Sequence, residues 1–433
     1  MKRVLYLVLL FSLALAPAFS QNMFRGNPAH SGIYETEGPQ QFHGVKWAFK
    51  TEGWVISSPA LAGGLVYFGS DDKNLYAVDA SSGELKWKFA TGGPIRSSPA
   101  VVAGLVYFGS YDGVFYALDA ASGKLKWKFD TPGEQQFAAR GLHAYFPRAQ
   151  VIPDFWDFFL SSPVVDSGSV YFGSGDGNVY ALAAASGELK WKFPTQGVVH
   201  SSPALAGGVI YVGSWDSYLY ALDAATGKEK WRFKTGEDKV NFNQVGIQSS
   251  PAVVDGVVYF GCRDAHLYAV DAATGQQKWA FDNHGDWIIS SPAVYDGSVF
   301  AGTSIPSAFG ALEINTGRPR FVLDARFLVF SSPAIATGTA YFGSFNGKLY
   351  AVNTKTGQFI WEFQTQAGRK DPLGVVGADG RPDFKTAFRS QFYEDMYRAG
   401  ERLFSLGSIV SSPVVDHDVV YFGSTDGNLY ALE

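Results

Sequence analysis

The stretch Ser57-Ser-Pro-Ala-Leu-Ala-Gly-Gly-Leu-Val-Tyr-Phe-Gly-Ser-Asp-Asp-Lys-Asn-Leu-Tyr-Ala-Val-Asp-Ala-Ser-Ser-Gly-Glu-Leu-Lys-Trp-Lys-Phe-Ala90 decides the fold. It holds four short β-rich runs separated by Gly, Asp and Asn, the residues that accept tight turns. Its opening Ser-Ser-Pro recurs at Ser97, Ser161, Ser201, Ser249, Ser290, Ser331 and Ser411. Its aromatic Trp87, four residues after a glycine, recurs as Trp127, Trp191, Trp231, Trp279 and Trp361, with Phe321 in its place in the sixth unit. The serine-to-aromatic distance is 30 residues in six units and 31 in the Ser290 unit. Four strands every ~40–50 residues is the pattern of a propeller blade.

The eighth unit ends at Glu433, before its fourth strand. The missing piece stands at the other end as Val45-Lys-Trp-Ala-Phe49, with Trp47 ten residues before Ser57, as Trp87 is before Ser97. The expectation is an all-β, eight-bladed β-propeller of four-stranded antiparallel blades, closed by the N-terminal strand completing the last blade, which removes an open sheet edge. Trp47, Trp87, Trp127, Trp191, Trp231, Trp279, Phe321 and Trp361 are expected to dock neighbouring blades.

The run Ala77-x-Asp79-x-x-x-Gly83-x-x-x-Trp87, repeated at Ala117–Trp127, Ala221–Trp231 and Ala269–Trp279, resembles the tryptophan-docking motif of quinoprotein-type, or PQQ-like, propeller repeats. Phe24-Arg-Gly-Asn-Pro-Ala-His-Ser-Gly32 is similar to that family's leader. The resemblance implies one of two functions. One is a PQQ-dependent dehydrogenase of alcohols or sugars, with PQQ and calcium on the propeller axis. The other is a non-catalytic propeller like the lipoprotein of the outer-membrane β-barrel assembly machinery. Many of the dehydrogenases place a disulfide between adjacent cysteines over the cofactor. Cys262 is the one cysteine here, so no such disulfide forms. The sequence therefore favours an exported binding or assembly scaffold, with the dehydrogenase as the alternative. A sugar- or polymer-binding module using the aromatic inserts is a third class.

Apolar residues make up 46% of the 433, aromatics 16% and charged residues 17%, with 49 glycines, a composition of short strands and tight turns. A net charge of −5 without a basic run speaks against nucleic acid, which needs clustered Lys and Arg. Lys2-Arg3, the apolar Val4–Leu15 and the small residues through Ser20 read as a signal peptide over 1–20. Residues 21–43 follow as a leader and 44–433 as the propeller. A periplasmic or secreted monomer is expected, without a membrane span after cleavage and without a lipid-attachment cysteine.

Aromatic-to-next-serine distances run 10, 10, 34, 10, 18, 11, 10 and 50 round the ring, so the length variation sits in one connection type. All these connections should emerge on one face, with inserts at about 131–160, 235–248 and 366–410. Loops on a rigid scaffold carry function, which makes that face the working surface. Phe155 and Trp156 in the first insert and Phe388 and Phe392 in the last are candidates for binding an envelope or extracellular protein partner. Phe384, Phe388, Phe392 and Met396 read as one helical stripe capped by Asp383, in inserts that form either a small lid packed on the propeller or a partner-binding or ligand-covering cap. The residues before each Ser-Ser-Pro should ring the axial mouth. Five are apolar, while Arg96, His200 and Gln248 are polar. With Arg140 and His143 of the first insert, they are candidates for holding a small acidic ligand. No metal site and no catalytic residue is assigned. The Asp-Gly pairs read as hairpin turns, the serines as structural and Cys262 as a buried thiol.

Overall fold

The computed structural model describes residues 22–236, 246–304 and 308–433. The expected signal peptide, most of the 235–248 insert and the centre of the blade-six turn lie outside the described residues. Eight four-stranded antiparallel sheets form the ring. Blade one is Ala60–Ala62, Leu65–Gly69, Asn74–Asp79 and Leu85–Ala90, and the next six blades repeat that order. Blade eight takes three strands from residues 414–432 and its outer one, Val45–Lys50, from the N-terminal end. Trp47 pairs with Ala431 and Phe49 with Leu429, which closes the ring.

The Ser-Ser-Pro repeat has a geometric cause. The second serine of each unit lies beside the axis, where its Oγ accepts the backbone N–H of its counterpart one blade back. The chain of acceptors runs Ser98, Ser162, Ser202, Ser250, Ser291, Ser332, Ser412 and back to Ser58, at 2.9–3.2 Å. Only a small side chain with an acceptor oxygen fits that crowded inner position, so every blade carries it.

The aromatics hold the periphery. Trp87 Nε1 donates to Ala120 O of the next blade at 3.0 Å, and Trp231 does the same to Ala272 O at 3.1 Å. Each ring lies over the turn glycine of the neighbouring blade. Gly275, at φ +74°, has no room for a Cβ beneath Trp231. Trp361 departs from this, because blade eight takes its outer strand from Val45–Lys50 and so has no such turn between its third and outer strands. Its indole donates to Pro39 O of the leader instead, at 2.8 Å. Phe321 packs on Gly357 without an N–H to give.

The leader crosses the inner strands on the face opposite the inserts. Its carbonyls accept from Val101, Leu205, Val253, Val294 and Ile335, one inner strand after another. Arg25 is buried there and donates to the carbonyls of Pro292 and Pro333.

Candidate functional site: the capped axial mouth

The first and last inserts meet over the mouth. In the first, Ala138–Arg140 pairs with Val151–Pro153, and the chain then turns inward as Asp154-Phe-Trp-Asp-Phe-Phe159. In the last, α1 (Gln366–Lys370), α2 (Phe384–Ala387) and α3 (Tyr393–Phe404) form a helical cover. The two are joined through backbone, Phe146 N to Gln391 O at 2.8 Å and Tyr393 N to Phe146 O at 2.9 Å. Phe155, Trp156 and Phe158 pack with Met396, Leu403 and Phe404 of α3 and with Ile56, Ile289, Phe330 and Val410 of the mouth. An aromatic plug therefore fills the mouth.

The expected single stripe does not form. Asp383 does cap α2, accepting from Lys385 N and Thr386 N, but the helix stops at Ala387. Asp395 accepts the backbone N–H groups of Arg389 and Ser390 at 2.6 Å, which diverts the chain before α3 begins. Phe384 and Phe392 are consequently exposed while Met396 is buried. The apolar face of α3 is Met396, Ala399, Gly400, Leu403 and Phe404, the i, i+3, i+4, i+7, i+8 set of an amphipathic helix.

Beneath the plug runs a buried polar network. His200 lies between Asp157 Oδ1, at 2.7 Å, and Glu134 Oε1, at 2.9 Å. Burial alone would lower the imidazole, but Asp157 and Glu134 outweigh it and push the group up to about 10, so it is a cation at neutral pH. Trp215 Nε1 donates to the same Asp157 oxygen at 3.2 Å. Arg263 donates to Asp154 Oδ2 at 2.6 Å, its guanidinium 3.8 Å from the Trp287 ring centre and 4.7 Å from that of Trp215. Burial works against the Asp154 charge, yet Arg263 and His143 hold its carboxyl well below the usual range. Arg96 makes a bidentate pair with Asp71 at 2.7 and 2.8 Å and also donates to Phe158 O. Gln248 Nε2 donates to Trp156 O at 2.7 Å.

Arg96, His200 and Gln248 are thus brought together, but around the plug. The chain's own carboxylates and carbonyls take the donors for which an acidic ligand was expected. Arg140 is exposed on the hairpin, apart from them. Phe155 and Trp156 are buried in the plug, so neither faces a partner in this arrangement. Phe392 is 61% exposed, beside Phe146, and Phe388 is half-buried. Cys262 is fully buried, and burial pushes its thiol well up.

Sequence reasoning missed Glu134, Asp154, Asp157, Trp215, Arg263 and Trp287. One signal was there. Asp71, Tyr111, Trp215, Arg263 and Phe345 all stand two residues after the glycine that ends a blade's second strand. That repeat position faces the cap.

Beside the plug opens a cleft of about 270 Å³. The first insert contributes His143 and Tyr145, the blade five–six connection Asp286 and Trp287, and the last insert Phe384, Phe388 and Leu403. His143 Nε2 lies 3.3 Å from Asp154, and Trp287 Nε1 is buried without an acceptor among the described residues.

A family model described as Outer membrane protein assembly factor BamB matches residues 43–155, 153–281 and 247–433. The chain belongs to that family. No curated protein sequence matches it. Among solved structures, BamB from Moraxella catarrhalis is 17% identical with a TM-score of 0.63, covering 90% of this chain and 97% of its own. A europium-containing methanol dehydrogenase is 15% identical with a TM-score of 0.68, covering 95% and 98%. The quinohemoprotein alcohol dehydrogenase from Comamonas testosteroni is 14% identical with a TM-score of 0.67, covering 96% and 81%. At these identities the likeness shows the shared propeller fold.

PQQ, implied by the quinoprotein resemblance, is a planar tricyclic tricarboxylate. The axial cavity here, lined by the serine ring with Phe24, Phe159 and Leu160, is about 30 Å³, room for about one water. Small-molecule sites run to about 300–1,000 Å³. The cations that could meet three carboxylates are already paired with Asp71, Asp154, Asp157 and Glu134. The axial residues do not fit the group.

Proposed function

We propose that this chain is an exported, non-catalytic scaffold that binds an envelope protein partner through its capped face. The supporting observation is the rim of aromatics that the inserts leave in solvent. Phe392 is 61% exposed, Tyr397 41%, and Phe146 and Phe384 40% each, on a cover fixed from below by buried ion pairs. Large exposed apolar patches on a soluble protein mark interaction sites. Membership of a family described by outer-membrane protein assembly supports the envelope setting. The test is a photoreactive residue placed at Phe392 and, separately, at Leu125, which is exposed on the outer strand of blade two. Irradiation of cells should give a discrete protein adduct from position 392 alone, in an extracytoplasmic fraction. Equal adducts from both positions, or none from 392, would refute the capped-face reading. Purified protein given PQQ with calcium should leave dye-linked alcohol and sugar oxidation at background, and turnover would instead support the dehydrogenase alternative.

A further inference from the structure

We propose that the rim of the capped face takes an acidic protein segment that carries apolar side chains among its carboxylates. This rests on the partner reading above and names the chemistry of the partner. The two inserts, residues 131–160 and 366–410, hold nine Lys or Arg and nine Asp or Glu, so their sequence is balanced. Folding divides the two signs. Asp154, Asp157 and Glu134 are turned inward onto Arg263 and His200. Asp371 and Asp383 accept backbone N–H groups of the cover, and Asp395 takes two more together with Arg402. The remaining carboxylates, Asp379, Glu394 and Glu401, are exposed. Of the nine cations, only Arg381 and Arg402 form ion pairs among the described residues. The other seven are exposed.

Those cations stand among the exposed aromatics. The Arg148 guanidinium lies 5.0 Å from the Phe146 ring centre, and that ring lies 6.1 Å from Phe392. Arg389 is in the segment whose Gln391 O accepts from Phe146 N, Arg398 follows Tyr397 on α3, and Lys385 follows Phe384. Aromatics and arginines together are the composition of protein-interface anchors. A guanidinium fork meets a carboxylate with two parallel hydrogen bonds, and the rings take apolar side chains between them. An anionic bilayer offers negative charge too. The chain carries a net −5, however, and is repelled as a body from an extended anionic surface. A short segment meets the rim alone, because charges beyond about 10 Å are screened at ~0.1 M salt.

The test uses the full chain and three fluorescein-labelled peptides of about twelve residues, repeats of Glu-Asp-Phe, Gln-Asn-Phe and Lys-Arg-Phe, read by anisotropy. The acidic peptide should bind saturably and the other two at least about tenfold more weakly. Raising salt from about 50 to 300 mM should weaken the acidic complex. The Arg148→Glu/Arg389→Glu variant should weaken it about tenfold, as should Phe392→Ser, with the melting temperature unchanged. Lys88→Glu/Lys192→Glu, exposed on the outer strands of blades one and three, should leave it intact. Equal binding of the neutral peptide, equal binding by the Arg148→Glu/Arg389→Glu variant, or equal loss in the outer-strand variant overturns the proposal. So does co-sedimentation with phosphatidylglycerol vesicles in place of peptide binding, which would assign the rim to a membrane. If the acidic peptide fails while position 392 still gives its adduct in cells, the acidic partner falls and the capped-face reading stands. If both fail, both fall.

Discussion

His200 stands at a position that five blades fill with an apolar residue, and its environment explains the exception. The first insert brings Asp157 and Glu134 to a buried mouth, and two carboxylates there need a cation between them. Removing one partner of such a network strands the others, so His200→Ala should cost roughly 3–5 kcal/mol in denaturant unfolding. The pH dependence follows from the direction of the shift. With the folded imidazole raised to about 10, its contribution is complete below the unfolded value near 6.5 and is lost as pH rises through about 10. Wild-type stability should therefore fall between pH 7 and 10 more steeply than that of His200→Gln, measured by thermal unfolding across that window. Docking aromatics answer to a different cost. Trp231→Ala should lose roughly 3–5 kcal/mol through its cavity and its bond to Ala272, and less than 1 kcal/mol would mean the ring does not dock. At this scale the tryptophans and serines were legible because they repeat. Asp154 and Asp157 were not, because each occurs once and lies in an aromatic run that names no partner.

At the scale of elements, α3 shows what spacing misses. Four aromatic or Met positions at intervals of four suggested one helix, yet the Asp395 carboxylate binds two backbone N–H groups upstream and breaks it. That interaction closes across a turn, and no periodicity announces it. The real docking face turns on Gly400, where a Cβ would run into the Phe155 ring. Gly400→Ala raises helix propensity by up to about 1 kcal/mol and would stabilise an isolated helix. In the folded chain it should instead cost about 1–3 kcal/mol by overpacking. The effect should localise, with amide exchange accelerating over residues 393–404 and 154–158 while the blade strands keep their protection. Uniform protection everywhere would mean that α3 and the plug do not depend on this contact.

For the whole molecule, the ring was readable because eight near-identical units leave one strand missing at one end and one spare at the other. A lid packed on the propeller was legible from the aromatic stripes of the inserts, but not that the first and last inserts join each other over the mouth, because each is unique and they meet only in space. Closure carries the largest consequence. The strand Val45–Lys50 completes blade eight, and Trp47 reaches on to blade one, donating to Ala80 O at 3.0 Å over Gly83. This one strand thus joins the last blade to the first, and the serine ring joins them again at the axis through Ser412 N and Ser58 Oγ. Deleting residues 44–51 should leave Asn428–Leu432 as an open edge, whose unpaired backbone groups template association with other chains. The expected outcome is a lower melting temperature with concentration-dependent aggregation. Adding a peptide of residues 43–52 in trans should restore both, because the register is specified by Trp47 opposite Ala431 and Phe49 opposite Leu429. The same peptide carrying Trp47→Ala should rescue less, since it pairs with blade eight but does not dock on blade one. An unchanged melting temperature in the deletion would mean that the inner serine ring and the leader hold the circle by themselves and that the shared blade is dispensable.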